Sequence, residues 1–135
     1  MTSLELEKNC APWLMSVLRI VAALIMLEHG TQKMFGYPPI INVVPHSTLS
    51  EIAGWIEVFG GVPLILGLFS RPIAFIFAGE MAIAYFLRHN PRGLFPVNNG
   101  GDLAVLLCFV FLFLAGSGPG PLSLDALRKR FNGNT

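Results

Sequence analysis

Ile52-Ala53-Gly54-Trp55-Ile56-Glu57-Val58-Phe59-Gly60-Gly61-Val62-Pro63-Leu64-Ile65-Leu66-Gly67-Leu68-Phe69 is an apolar run with one carboxylate inside it. At the centre of a membrane-crossing helix an ionised side chain costs roughly 2.5–3.5 kcal/mol on insertion scales. Such a group faces protein or water and marks a candidate functional site. Glu28 and Glu80 occupy comparable places in two other apolar runs.

The whole chain supports the membrane reading. Of 135 residues, 53% are hydrophobic and 13% charged, and the mean hydropathy is +0.63. A soluble domain of this size carries far more charge. Four stretches, about 11–30, 51–69, 72–88 and 101–118, approach the roughly 17–25 residues that cross a bilayer as helix. The expected fold is therefore all-α, an integral membrane bundle of four transmembrane helices forming one domain over residues 1–135. The runs are too long and unbroken for the alternating strands of a membrane barrel.

The punctuation fits: Pro38-Pro39 and Pro45, then Ser70-Arg71-Pro72, then Asn90-Pro91 through Gly100-Gly101. Glu5 and Glu7 outnumber Lys8 ahead of the first run, and Arg19 interrupts it, unlike a cleaved signal peptide. Lys8, Arg71, Arg128, Lys129 and Arg130 fall on one side of the membrane, against Lys33, Arg88 and Arg92 on the other. The balance places both termini in the cytoplasm. Leu124, Leu127 and Phe131 recur at helical spacing beside Arg128, Lys129 and Arg130. That tail reads either as a short interfacial helix meeting anionic lipid or as an unstructured basic stop signal.

Trp13, Trp55, Tyr37 and Tyr85 lie toward segment ends, as interfacial anchors do. The stripes Ala74, Ala78, Ala82 and Gly54, Gly61 suit close helix contact and leave a homo-oligomer open. Pro63 removes the hydrogen bond to the Phe59 carbonyl and is expected to kink its helix. The net charge of +1 and the absence of a long basic run exclude nucleic acid. Cys10 and Cys108 form no Cys-x-x-Cys pair, and Cys108 reads as a small packing residue.

Sorting the polar groups by depth, at about 1.5 Å per residue, yields two expectations. Arg19 and Glu80 sit at matched depths on helices that run the same way, so they are expected to form a structural intramembrane ion pair. Glu28, His29, Lys33, Glu57, His89 and Asp102 fall in the outer half, where they would line a polar pocket. Blander roles exist for most: Asp102 favours a helix N-terminus, and Lys33 can snorkel to water. Glu57 is too short to do so. His29, His46 and His89 also lie outward, but none has ligand spacing such as His-x-x-x-His, so no metal or haem is expected.

Taken together these residues resemble the DoxX family of small four-helix bacterial membrane proteins. The resemblance is carried by Arg19, by His29-Gly30-Thr31-Gln32-Lys33-Met34-Phe35-Gly36, and by Gly54-Trp55-Ile56-Glu57 with Gly60-Gly61. It continues through Leu66-Gly67-Leu68-Phe69-Ser70-Arg71, Glu80-Met81-Ala82-Ile83-Ala84-Tyr85-Phe86, His89 with Pro91, and Phe95-Pro96 with Asn99-Gly100-Gly101-Asp102. Asp102 departs from the pattern, which usually has Glu there. The resemblance implies residence in the bacterial cytoplasmic (inner) membrane. It also implies a quinone-proximal or partner-docking subunit of a membrane oxidoreductase system, with a redox or other membrane-complex protein as partner.

No self-contained catalytic motif is visible, so the chain is at most one subunit of such an enzyme. In this reading a quinone headgroup enters the outer pocket, Glu57 and His29 exchange protons with it, and electrons come from the partner. The competing reading is a non-enzymatic assembly or anchoring subunit. A small-solute or proton carrier is disfavoured, because the inner half offers only Arg19 as a polar step.

Overall fold

The computed structural model describes residues 2–41 and 47–133, and every helix or strand assigned among them is helical. His46 and Pro45, which the sequence assigns to an outer loop, lie outside the described residues.

The first helix, α1, runs Ser3–Phe35 and is longer at both ends than its apolar stretch. Its start is set by a capping box: the Thr2 hydroxyl accepts from the Glu5 N–H at 3.3 Å, and the Glu5 carboxylate accepts from the Thr2 N–H at 2.7 Å. Two of the unpaired N–H groups at the helix start are thereby satisfied. At the other end Gly36 takes the left-handed conformation and donates to the Gln32 carbonyl at 3.1 Å. Helix α2 spans Thr48–Leu66, capped by the Ser47 hydroxyl and closed by left-handed Gly67. Pro63 lies in its last turn, so the hydrogen bond missing at Phe59 falls where the helix is about to end.

Helix α3 spans Ser70–Ala84 and continues as a π-helical turn, Tyr85–His89, and a 3₁₀ turn, Asn90–Arg92. A single turn, α4 (Pro96–Asn99), leads into α5 (Asp102–Ser117), and α6 (Leu124–Asn132) follows. Ser3–Phe35, Thr48–Leu66 and Ser70–Arg92 are long and apolar enough to cross a membrane. Helix α5 is apolar but has 16 residues, about 24 Å of rise against a hydrocarbon core of roughly 30 Å.

The chain forms two compact units, Met1–Phe69 with Pro119–Thr135, and Ser70–Gly118. In the first, α1 and α2 pack through glycines. A Cβ on Gly61 would lie 3.0 Å from the Leu27 Cβ, and one on Gly54 would lie 2.7 Å from the Met34 sulfur. In the second, α3 packs on α5 around Phe77 and Phe111, whose rings meet edge to face at 5.2 Å. Ala74 and Ala78 are buried beside them. Small residues allow this approach where lipid supplies no hydrophobic drive toward association.

Candidate functional site

Glu57 is 1% exposed. One of its oxygens, Oε1, accepts from the Lys33 ammonium at 2.6 Å. The ion pair joins the last turn of α1 to the middle of α2, and it can form because Gly30 faces the base of the carboxylate. A Cβ at Gly30 would lie 2.8 Å from the Glu57 Cβ and 2.9 Å from the Val58 nitrogen. Lys33 keeps 28% of its side chain exposed, so the pair is buried at the acid and open at the base. The second oxygen, Glu57 Oε2, is buried and has no hydrogen-bond partner among the described residues. Such an atom in a folded protein calls for an explanation. Trp55, stacked on Phe59 at 5.3 Å and edge-on to Phe35 at 6.2 Å, sits on the same helix pair.

The neighbouring candidates on α1 are exposed. His29 Nδ1 donates to the Ile25 carbonyl at 2.8 Å, which leaves Nε2 as the ring's other hydrogen-bonding position. Glu28 lies beside it, also exposed. His89 and Asp102 belong to the second unit. Asp102 is exposed in the first turn of α5, where its charge suits the helix N-terminus. The Lys33–Glu57 contact is thus the one direct side-chain link among the six pocket candidates that the described hydrogen bonds and ion pairs record.

Around His89 the second unit holds a polar knot that charge-spotting does not find. Asn99 is 2% exposed and donates to the Gly93 carbonyl at 2.8 Å and the Tyr85 hydroxyl at 3.3 Å, while its own oxygen accepts from the Gly101 N–H at 2.8 Å. Tyr85 donates to the Leu94 carbonyl at 2.8 Å, and His89 Nδ1 donates to the Asn99 carbonyl at 3.3 Å. Tyr85 and His89 both lie on the π-helical turn, a local widening that often accompanies function. The Asn-Gly-Gly run was the available signal; its reading as a turn hid the buried amide.

Arg19 is 1% exposed. Its guanidinium donates to the carbonyls of Pro119, of Ile65 at 3.2 Å and of Leu122 at 2.6 Å. All three acceptors belong to its own unit, and Glu80 lies half-buried in the other. The pairing of Arg19 with Glu80 stays a proposal. Arg19 gathers the end of α2 and the returning segment 119–122 onto α1, with Ser16 accepting from the Leu122 N–H at 3.1 Å. Among the described residues no three His, Cys, Asp or Glu side chains come together as a metal site.

The DoxX family model matches residues 14–90, more than half of the chain. The chain belongs to the DoxX family. An uncharacterized protein of Haemophilus influenzae is 41% identical over 127 residues, covering 90% of this chain and 94% of that one. The inner membrane protein YphA of Escherichia coli is 28% identical over 125 residues, 84% of this chain and 89% of YphA. No solved structure matches the chain. This DoxX protein is an all-helical membrane protein, and Lys33, Glu57 and their packing glycine Gly30 all fall inside the matched region.

Proposed function

We propose that this DoxX protein is a quinone-proximal or partner-docking subunit of an oxidoreductase system in the bacterial inner membrane, with both termini cytoplasmic. The observation that carries the reading is the Lys33–Glu57 pair, in which one carboxylate oxygen is held by the lysine and the other has no partner among the described residues. A quinone presents carbonyl oxygens and a quinol presents hydroxyls. Lys33, part-exposed, offers N–H donors to the first, and Glu57 Oε2 offers an acceptor to the second. When bound, a quinone would supply the two-electron chemistry that no side chain of this protein carries, with electrons delivered by a partner subunit. The remaining outer candidates, Glu28, His29, His89 and Asp102, belong to the same proposal as groups at the membrane surface.

The test is a titration of the purified protein in detergent with a short-chain ubiquinone analogue, followed by tryptophan quenching. Saturable binding that weakens at least tenfold in Glu57→Gln is expected; equal affinity in the variant overturns the role of Glu57. The second reading, a non-enzymatic anchoring subunit, is favoured by the pair being satisfied within the chain on its lysine side. Co-purification of a membrane complex that persists unchanged with Glu57→Gln, together with no quinone binding, would select it.

A further inference from the structure

The C-terminal helix α6 is attached by the wrong face for a helix that lives in water. At roughly 100° per residue, Leu124, Leu127 and Phe131 share an arc of about 60°, and Asp125 and Ala126 lie roughly opposite. The side turned to the protein is the polar one. Asp125 accepts from the Phe69 N–H at 3.1 Å, and its own N–H donates to the Gly67 carbonyl at 2.9 Å. The Ser123 hydroxyl caps the helix by accepting from the Ala126 N–H at 3.1 Å. The apolar stripe is left facing outward, with Leu124 38%, Leu127 47% and Phe131 70% exposed.

An amphipathic helix of a soluble domain does the reverse, turning its apolar stripe inward. The attachment is firm nonetheless, because Arg19 holds the carbonyls of Pro119 and Leu122 immediately before it. Gly67 also permits the approach: it has φ 71°, and a Cβ there would lie 2.7 Å from the Ser123 Cα.

Charge indicates what covers the stripe. Arg128, Lys129 and Arg130 are exposed, while the one acid of the helix is occupied inward. Arg128 lies over the Phe69 ring at 5.7 Å, and Lys129 and Arg130 are exposed beyond it. On the same wheel Arg128 and Arg130 fall on the two flanks of the stripe and Lys129 on the far side; Leu, Leu and Phe between two arginines match the boundary between acyl chains and anionic headgroups. We propose that α6 is a docking helix for anionic phospholipid, lying in the headgroup boundary with its orientation fixed by the Arg19 clamp.

The experiment is hydrogen exchange of the full-length protein in nanodiscs of phosphatidylcholine, with and without phosphatidylglycerol. Amides of residues 124–132 should be more protected when the anionic lipid is present. At about fivefold per cation near a charged surface, Arg130→Gln should reduce that gain roughly fivefold and Lys129→Gln, on the far side of the helix, by less, with Arg128 left on its ring. Phe131→Ser should lower protection in both lipids. Equal exchange in the two lipids overturns the proposal. Protection that rises instead with the number of protein copies per disc also overturns it, by assigning the stripe to a second copy of the chain.

Discussion

Glu57 is enclosed between two helices with Lys33 as its one polar partner among the described residues, so its neighbours decide what substitutions do. Lys33→Met would strand a buried carboxylate, and about 3 kcal/mol of stability should be lost. Lys33→Met/Glu57→Leu removes both charges and should regain most of it; thermal unfolding in one detergent compares the two. Gly30→Ala places a methyl group against the Glu57 Cβ and the Val58 backbone, and about 1–3 kcal/mol should be lost to overpacking. Gly79→Ala, where an added Cβ meets nothing within 4 Å, should be neutral or gain up to about 1 kcal/mol. A fall in stability at Gly79 equal to that at Gly30 would refute the packing account. Glu57 was legible from sequence because a carboxylate in an apolar run is conspicuous. The lysine was legible only as one of several outer charges, since its partner is set by a glycine contact between helices. The carbonyl acceptors of Arg19 had no signature, because backbone oxygens are not written in side-chain types.

Each helix follows from local chemistry, and the places where extents differ from hydropathy have local causes. Helix α1 begins before its apolar run because Thr2 and Glu5 form a capping box, which a hydropathy window does not see. The π-helical turn at Tyr85–His89 likewise leaves no mark on hydropathy. The tail, open between helix and unstructured segment from sequence, is helix α6 with a serine cap. Its attachment is an element-scale property that can be broken deliberately. Arg19→Lys supplies one ammonium in place of a fork that reaches three carbonyls, and Arg19→Ala supplies nothing. Both variants should become cleavable between residues 118 and 124 under limited proteolysis, the alanine variant faster, while the parent resists. Arg71 has a parallel task in the other unit, donating to the carbonyls of Ala115 at 2.9 Å and of Gly116 at the end of α5. Arg71→Ala should loosen that end without exposing 118–124.

At the scale of the molecule, composition was enough to establish a helical membrane protein, and the family match agrees. The division into units 1–69 with 119–135 and 70–118 was not legible, because it depends on the chain's return to α1 after α5. The proposed orientation can be checked with the exposed Cys10 near the start of α1. In a Cys108→Ser background, a membrane-impermeant maleimide should label Cys10 in inverted vesicles and not in right-side-out ones; the opposite pattern would reverse the topology. The Arg19 clamp has a further consequence for biosynthesis. Its acceptors at Pro119 and Leu122 lie 100 and 103 residues downstream. When α1 enters the bilayer, those carbonyls have not been translated. Until they are, the newborn helix can offer its guanidinium only one of the three acceptors, the Ile65 carbonyl, and a stop codon before residue 119 leaves the other two missing for good.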